Sequence, residues 1–175
     1  SSSGTTVNGC NGVHGIVVDP TDPDHLFAGT VAAGCDGGVF ESIDGGTSWT
    51  NIAGSNVGGN IGNDAWPVVL DATDTNRLYS GSPHNAIYRS VDGGHTWIST
   101  PPLGGDHSTY EVVINAAASN EIWCNEAGGT WVSDNYGATW TRQTTLFDNE
   151  AIFALRFAPS NPQVAYAIVG NTIWR

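Results

Sequence analysis

The chain has 175 residues and a formal net charge of -12, although only 13% of its residues are charged. A chain of this length can fold as one domain with a substantial core. The excess of carboxylates repels phosphate groups, which makes nucleic acid and anionic membranes poor partners and leaves neutral ligands such as glycans. No apolar run approaches the roughly 20 residues that a membrane-spanning helix requires, so we expect no membrane span.

Short runs of β-branched and aromatic residues, separated by Gly, Asn, Asp and Pro, predict an all-β structure. No stretch has the period of a helix. The predicted strands cover, in chain order, residues 15–19, 25–29, 38–41, 67–71, 77–81, 86–89, 110–114, 121–124, 129–132, 152–157, 164–168 and 171–174. One further strand is expected to follow each of Trp49, Trp97 and Trp140.

Three similar octets, residues 42–49, 90–97 and 133–140, recur about 45 residues apart, which is the length of one propeller blade. In each octet an Asp or Asn is expected to bond the amides of its own turn, and a Gly takes a positive φ. The final Trp begins the next strand and is expected to be buried between neighbouring sheets. The predicted structural residues are Ser42, Asp44, Gly46, Trp49, Ser90, Asp92, Gly94, Trp97, Ser133, Asn135, Gly137 and Trp140.

The sequence therefore predicts a β-propeller of four-stranded antiparallel blades, about three and a half of them. The predicted blade units are about 11–54, 64–100, 109–145 and 151–175. The last unit contains three predicted strands, and we expect residues 1–10 or a second chain to supply its outer strand. An unfinished blade exposes unpaired amides and carbonyls, so a homo-oligomer formed by strand exchange is one expectation. A truncated piece or half of a larger propeller is another.

The octets resemble the Asp-box (BNR) repeat of sialidases, xyloglucan-cleaving glycoside hydrolases, sortilin-type receptors and a photosystem assembly factor. Residues 27–40 are similar to the first blade of the xyloglucanase family, and residues 62–66 and 70–79 to its second blade. The resemblance implies a secreted or cell-surface protein that binds or hydrolyses a neutral β-glucan such as xyloglucan. It also implies a catalytic role for Asp36. Those enzymes take their second catalytic Asp from another domain, which this chain does not match.

Candidate site residues collect where the second strand of a blade leads to the third and where blades are linked. In a propeller these loops share the top face, opposite the octets. Glycoside hydrolysis needs two carboxyl groups that flank the scissile bond, and aromatic rings offer surfaces for sugar stacking. The predicted catalytic residues are Asp36, Asp64 and Asp106, and the predicted ligand-binding residues are Trp66, His107, Trp123 and Glu126.

Each of these residues also has a structural interpretation, which the sequence leaves open. Asp36 can cap its Gly-rich loop, and Asp106 with His107 can lie in a solvated loop. Trp66 and Trp123 can belong to the blade core. The sequence thus leaves two functions: a carbohydrate-active propeller, or a non-catalytic interaction or self-assembly module.

The three cysteines are Cys10, Cys35 and Cys124, so at least one is unpaired within the chain. Cys10 and Cys35 belong to the top of the same predicted blade, where a disulfide is reasonable. Cys124 ends a predicted strand and is expected to be a buried thiol or, failing that, an intermolecular bond. No spacing fits zinc, and the Asp-rich loop at residues 19–24 lacks the spacing of a calcium-binding EF-hand. We therefore expect no metal and no cofactor.

Overall fold

The computed structural model describes residues 12–31, 37–53, 61, 65–82, 87–100, 103, 109–126, 129–144, 152–159 and 161–175. The described residues form β-strands joined by turns and contain no helix. The strands are β1 (Val13–Asp19), β2 (Asp22–Thr30), β3 (Gly38–Ser42), β4 (Thr50–Ala53), β5 (Val68–Leu70), β6 (Leu78–Gly81), β7 (Ile87–Ser90), β8 (Ile98–Ser99), β9 (Thr109–Ile114), β10 (Ile122–Glu126), β11 (Gly129–Ser133), β12 (Thr141–Gln143), β13 (Ile152–Ala158), β14 (Asn161–Val169) and β15 (Thr172–Trp174).

The strands pair with their neighbours in sequence to form four antiparallel sheets, which we call blades 1 to 4. Blades 1, 2 and 3 each contain four strands, β1–β4, β5–β8 and β9–β12, and the described part of blade 4 contains β13–β15. The predicted fold class, an all-β chain of about three and a half propeller blades, is confirmed. The predicted blade boundaries, including a strand from residues 1–10, stay a prediction because residues 1–11 lie outside the described part.

One pairing register recurs from blade to blade. Leu26 of blade 1 pairs with Ser42, the first residue of its octet, and Ile122 of blade 3 pairs with Ser133 in the same way. The residues one step further along, Phe27 and Trp123, are therefore equivalent. Blade 4 shares the irregular pairing of blade 1. A register shift follows Val18 in the pairing of β1 with β2, and an equivalent shift follows Phe157 in the pairing of β13 with β14.

Each octet forms the predicted hairpin turn, and one side chain organises it. Asp92 Oδ1 accepts hydrogen bonds from the Thr96 amide at 2.8 Å and from the Ser90 hydroxyl at 2.8 Å, while Asp92 Oδ2 accepts the Thr96 hydroxyl at 2.6 Å. The Gly94 amide donates to Ser90 Oγ at 2.9 Å, and Gly94 has a φ of 89°. The geometry favours glycine at this position because a side chain is strained at positive φ.

The other two octets repeat this arrangement with one change each. In the first, Ser48 replaces Thr, and its hydroxyl and amide donate to the two oxygens of Asp44. These hydrogen bonds hold the pKa of Asp44 below its ordinary value. The bond from the Ser48 hydroxyl lowers the pKa most, and the bond from the Ser48 amide comes next. In the third, Asn135 Oδ1 accepts the Thr139 amide at 2.9 Å and its Nδ2 donates to Thr139 Oγ1 at 2.8 Å.

The octet tryptophans differ in burial and in hydrogen bonding. Trp97 is buried in a hydrophobic cluster, and its Nε1 donates to Gly94 O at 2.7 Å. Trp49 is half-buried against Ala28 and Phe40. Trp140 is half-buried overall, and its Nε1 is buried without a hydrogen-bond partner in the described part of the chain. The predicted burial of the octet tryptophan is therefore complete only at Trp97.

The chain divides into two compact units, each with its own core. The first comprises Ser1–Ser80 and Tyr88–Ser99, and the second comprises Gly81–Ile87 and Thr100–Arg175. The core of the first unit consists of Phe27, Val39, Ala53, Ile61, Ala65, Val68, Leu70, Leu78 and Trp97, with Val17, Ile52 and Tyr88 packed against it. The core of the second consists of Ile152, Leu155, Ala167 and Val169, with Val113, Trp123, Phe157 and Ala165 packed against it.

The octet acceptor can be tested at Asp92. Asp92→Ala removes the acceptor for the Thr96 amide and hydroxyl, and we expect it to lower the free energy of unfolding by about 1–3 kcal/mol. Asp92→Asn is the matched control, because Asn135 makes the equivalent hydrogen bonds in the third octet. We expect Asp92→Asn to lower the free energy of unfolding by less than Asp92→Ala does. Urea denaturation of both variants measures the difference, and equal losses would contradict this role for the side-chain oxygen.

Candidate functional site

The predicted site residues divide into those that the structure describes and those that it does not. Asp36, Asp64, Asp106 and His107 lie outside the described residues, as do both members of the predicted Cys10–Cys35 disulfide. Their roles stay predictions. Trp66 lies in the first unit, and Trp123 and Glu126 lie in the second.

Trp66 lies in the segment that leads into β5, and its ring stacks on the imidazole of His14. The two ring centroids are 4.3 Å apart and the planes are inclined by 28°. Trp66 is half-buried and His14 is exposed. An indole with a polar heteroaromatic ring beside it offers an apolar surface next to a hydrogen-bonding group. This combination suits the face and hydroxyls of a sugar ring.

Close backbone packing holds the segment that carries Trp66. The Ala65 amide donates to Thr30 O at 3.0 Å, which joins the segment to the end of β2. A Cβ atom on Gly29 would lie 2.6 Å from Ala65 O and 2.7 Å from Val68 Cγ2. Only glycine at position 29 lets the segment approach β2 this closely, so the position of Trp66 depends on it.

Trp123 packs inside the second unit. Its ring meets Phe157 edge-on, with centroids 6.1 Å apart, and its Nε1 donates to Glu121 Oε1 at 2.7 Å. This environment agrees with the interpretation of Trp123 as a residue of the blade core. The contact of Trp123 with a ligand stays a prediction.

Glu126 is a buried carboxyl group at the last position of β10. It is 3% exposed, and its Oε1 has no hydrogen-bond partner in the described part of the chain. Burial raises the pKa of Glu126 to about 7, while the side chain of Thr109, its partner in the β9–β10 register, lowers the pKa by a smaller amount. A carboxyl group with this pKa can give or take a proton near neutral pH.

The thiol of Cys124 lies two residues before Glu126 on the same strand. It is free and fully buried, which agrees with the prediction of a buried thiol. Burial raises the pKa of Cys124 well above its ordinary value, and the charge of Glu126 raises it further. A thiol in this state is protonated and inert as a nucleophile.

Glu126 departs from the pattern of the repeat. It pairs with Gly129 as Thr30 of blade 1 pairs with Gly38, and both glycines have a positive φ, 131° and 126°. Thr30 satisfies its hydroxyl locally by donating to Gly38 O at 3.2 Å. An alignment of the second strands of the blades would have shown that the hydroxyl of Thr30 in blade 1 is replaced by the carboxyl group of Glu126 in blade 3. The sequence predicted a ligand-binding role for Glu126 but not its raised pKa.

A polar cluster that the sequence did not predict lies where β1 ends, beside β2 and β3. His25 Nδ1 is 3.3 Å from Asp19 Oδ2, and His25 Nε2 is 2.8 Å from Glu41 Oε1. In blade 2 Arg77 takes the place of His25 and binds Asp71 at 2.9 Å. This equivalence indicates a structural bridge. Among the described residues, no group of three or more His, Cys, Asp or Glu side chains could hold a metal ion.

A cavity of about 290 Å³ lies between the ends of β9 and β13, with Val113, Phe157 and Pro159 among its lining residues. Its one cationic lining residue, Arg156, binds Glu111, which also accepts the Leu155 amide at 2.6 Å. The cavity thus offers mainly apolar surface.

In the described part of the chain, no helix is long and apolar enough to cross a membrane.

Comparison with known proteins places this geometry among propellers. No family model matches the chain. Over 96 residues, half of the chain, it is 35% identical to a xyloglucanase from a Paenibacillus species, and the match covers 9% of that protein. The structure of the GH74 enzyme of Niastella koreensis is 22% identical, with a TM-score of 0.67, and the likeness covers 96% of this chain and 29% of that one.

A third similar structure is YCF48 from Cyanidioschyzon merolae, which is 12% identical with a TM-score of 0.67, over 96% of this chain and 51% of that one. At these identities the structural likenesses establish the fold, a partial β-propeller. The resemblance to xyloglucanase-type propellers, which residues 27–40, 62–66 and 70–79 predicted, is confirmed by the sequence match. The chain spans under a third of the GH74 enzyme and about half of YCF48.

The raised pKa of Glu126 predicts how stability depends on pH. The unfolded carboxyl titrates near 4.5 and the folded one near 7, so the folded state is destabilised as pH rises from 4.5 to 7. We expect Glu126→Gln to remove this loss and to stabilise the chain above pH 7 by at most about 3 kcal/mol.

Urea denaturation of both proteins from acid to alkaline pH measures this difference. Asp134→Asn, at an exposed position of the third octet, is the control and should follow the wild-type curve. Parallel curves for the wild type and Glu126→Gln would contradict a raised pKa.

Proposed function

We propose that this chain belongs to a secreted, carbohydrate-active propeller that binds or hydrolyses a neutral β-glucan such as xyloglucan. The observation that carries the proposal is the 35% identity to the Paenibacillus xyloglucanase over half of the chain. That stretch is too long to reflect the octets alone. Because the match covers only 9% of that enzyme, the activity of the whole protein is part of the proposal.

The described residues support a neutral ligand over an acidic one. Recognition of an acidic sugar favours arginine, which binds a carboxylate through two parallel hydrogen bonds. Two of the five basic residues are already engaged within the protein, since Arg77 binds Asp71 and Arg156 binds Glu111. The net charge of -12 adds a further penalty for anionic ligands.

The ligand surface that we propose is the top face, formed by the blade ends away from the octet turns. In this proposal Trp66 supplies a stacking surface, and Glu126 supplies a carboxyl group that exchanges protons near neutral pH. His107 and Trp123 are proposed to contact the glycan. The resemblance to xyloglucanases assigns catalysis to Asp36, with Asp64 and Asp106 as further candidates.

Catalysis needs two carboxyl groups at a set separation, about 5–5.5 Å for retention or 6.5–9.5 Å for inversion. In the enzymes that the chain resembles, the second catalytic Asp comes from another propeller domain. We therefore expect the isolated chain to bind xyloglucan oligosaccharides and to hydrolyse them poorly. An extracellular location is part of the proposal, since polymeric β-glucans lie outside the cell.

The second candidate function is a non-catalytic interaction or assembly module. The observation that favours it is a set of large apolar side chains that remain exposed on β14 and β15 of the second unit, including Tyr166, Ile168 and Ile173. Patches of this kind mark interaction surfaces in soluble proteins.

The stacking role of Trp66 can be tested by glycan binding. We expect Trp66→Ala to weaken the binding of a xyloglucan oligosaccharide by about five- to thirtyfold, since a lost stacking contact costs about 1–2 kcal/mol. Trp66→Phe should retain part of the affinity, and Trp174→Ala, at an exposed aromatic residue on β15, is the control. Isothermal titration calorimetry gives the affinities, and unchanged binding by a folded Trp66→Ala variant would remove this residue from the site.

The role of Asp36 can be tested by xyloglucan hydrolysis in a chain joined to a second propeller domain, of the kind that the resemblance to xyloglucanases implies. Asp36→Asn keeps the shape of the side chain and removes its charge, so we expect about a hundredfold loss of rate or more, in line with the loss of one acid or base. Release of reducing ends measures the rate, and Asp134→Asn is the matched control. Full activity in Asp36→Asn would exclude this residue from the mechanism.

A further inference from the structure

One position of the repeat carries an aromatic residue in every blade, and we call it the ring position. It lies five residues before the residue where the first strand of a blade meets its turn. In blades 1 and 2 that residue is Asp19 and Asp71, whose Oδ1 atoms accept the amide two residues later at 2.8 Å and 2.9 Å. In blade 3, Asn115 accepts the equivalent amide at 3.2 Å. In blade 4, Ala158 takes this place, because it closes the pairing of β13 with β14 as Asp19 closes that of β1 with β2. The residues at the ring position are His14, Trp66, Tyr110 and Phe153.

The ring position is an extra residue in the strand pairing. In blade 1 the pairing with β2 passes from Val13 to Gly15, so His14 has no opposite residue on β2. Blades 3 and 4 have the same irregularity, and the residues that it passes over are Tyr110 and Phe153. A β-bulge of this kind changes the direction of a side chain relative to the regular alternation, and bulges are common beside binding and active sites.

His14 and Trp66 show how the ring positions of two neighbouring blades meet. Their rings stack with centroids 4.3 Å apart, and both residues lie in the first unit. A Cβ atom on Gly12 would lie 3.2 Å from His14 Nε2, so one edge of the imidazole rests against the backbone of Gly12. The imidazole is therefore held between the backbone and the indole, and the two rings form one surface.

Core packing explains one other aromatic position of the repeat but not this one. The second strands carry an aromatic residue at Phe27 and its equivalents, and Phe27 and Trp123 belong to or pack against the cores of their units. His14 and Trp66 are not part of the core of the first unit.

The preference of strands for aromatic residues does not explain the ring position either. Two residues further along the first strands, every blade has an aliphatic residue instead: Ile16, Val68, Val112 and Leu155. Strands favour aromatic and β-branched residues alike. The consistent choice of a ring at one position and of an aliphatic chain at the other therefore indicates a separate role for the ring position.

We propose that the ring position is a glycan-contacting position of the repeat. His14 extends the sugar-stacking surface of Trp66 in the first unit, and Phe153 provides a surface of the same kind in the second. The inference rests on the proposed function, because stacking on a sugar face is the contact that it assigns to these rings. A β-glucan repeats similar sugar rings along its chain, which suits a protein that repeats one kind of contact from blade to blade.

The binding of a xyloglucan oligosaccharide, measured by isothermal titration calorimetry, tests both residues. We expect His14→Ala to weaken binding by about three- to tenfold, since it removes part of a stacking surface. Phe153→Ala should lower the affinity by a similar factor or reduce the number of sites per chain. His14→Phe and Phe153→Tyr keep a ring and should retain most of the binding.

The matched control is Tyr136→Ala, at an exposed aromatic residue of the third octet turn, and this variant should bind like the wild type. Circular dichroism checks that every variant is folded, and glutamine replaces alanine at a position whose alanine variant is not. The histidine ring signals in NMR spectra give a readout that a structural role would not change. Addition of the oligosaccharide should shift the signals of His14, assigned with His14→Phe, and leave those of His25 in place.

The outcomes separate this inference from the proposed function. A wild-type chain that does not bind the oligosaccharide would overturn both. If the wild type binds and Trp66→Ala weakens that binding, unchanged binding by a folded variant that lacks the ring of His14 or of Phe153 would overturn this inference alone. So would His14 signals that do not move when the oligosaccharide binds, or a control variant that loses as much affinity as His14→Ala.

Discussion

The hydrogen bonds to one side-chain oxygen in each octet constrain the rest of the structure. Asp44, Asp92 and Asn135 each accept the amide four residues later, which fixes the hairpin between the third and fourth strands. A slip of one residue in a strand would move every side chain to the opposite face. Because the turn sets the register, it also decides which residues lie on each face of a blade and which lie at the blade ends.

Function in this chain is expected where one blade departs from the others. The end of the second strand carries a locally satisfied hydroxyl at Thr30 and a buried carboxyl with a pKa of about 7 at Glu126. A repeat scaffold tolerates such an exchange because its stability is spread over the turns and cores of several blades. A buried carboxyl without a full set of partners is costly. The cost makes Glu126 a better candidate for a role than the octet acids, which are fully engaged in their turns.

The octet turns and the strands were predictable because they depend on residues that are close in sequence. In a hairpin, Gly accepts a positive φ, Asp accepts the amides of its turn and Trp begins the next strand, while runs of β-branched residues favour extended backbone. The remaining features join residues that are distant in sequence. The stacking of Trp66 on His14 requires two segments to approach across Gly29. The pKa of Glu126 depends on how completely its surroundings exclude water, which no spacing in the sequence encodes. For the same reason the distance from Asp36 to a second carboxyl group cannot be derived from the sequence.

The proposed glycan site and the packing between blades place different demands on the same strands. The proposed glycan site uses residues at the ends of strands, whereas packing between blades uses residues along the strands, where every second side chain faces the neighbouring blade. A propeller can therefore change its ligand without changing how its blades pack, and the fold alone does not choose the ligand. The packing is the more constrained of the two, because the facing side chains of two blades must fit each other, and the chain repeats such a fit within each of its compact units.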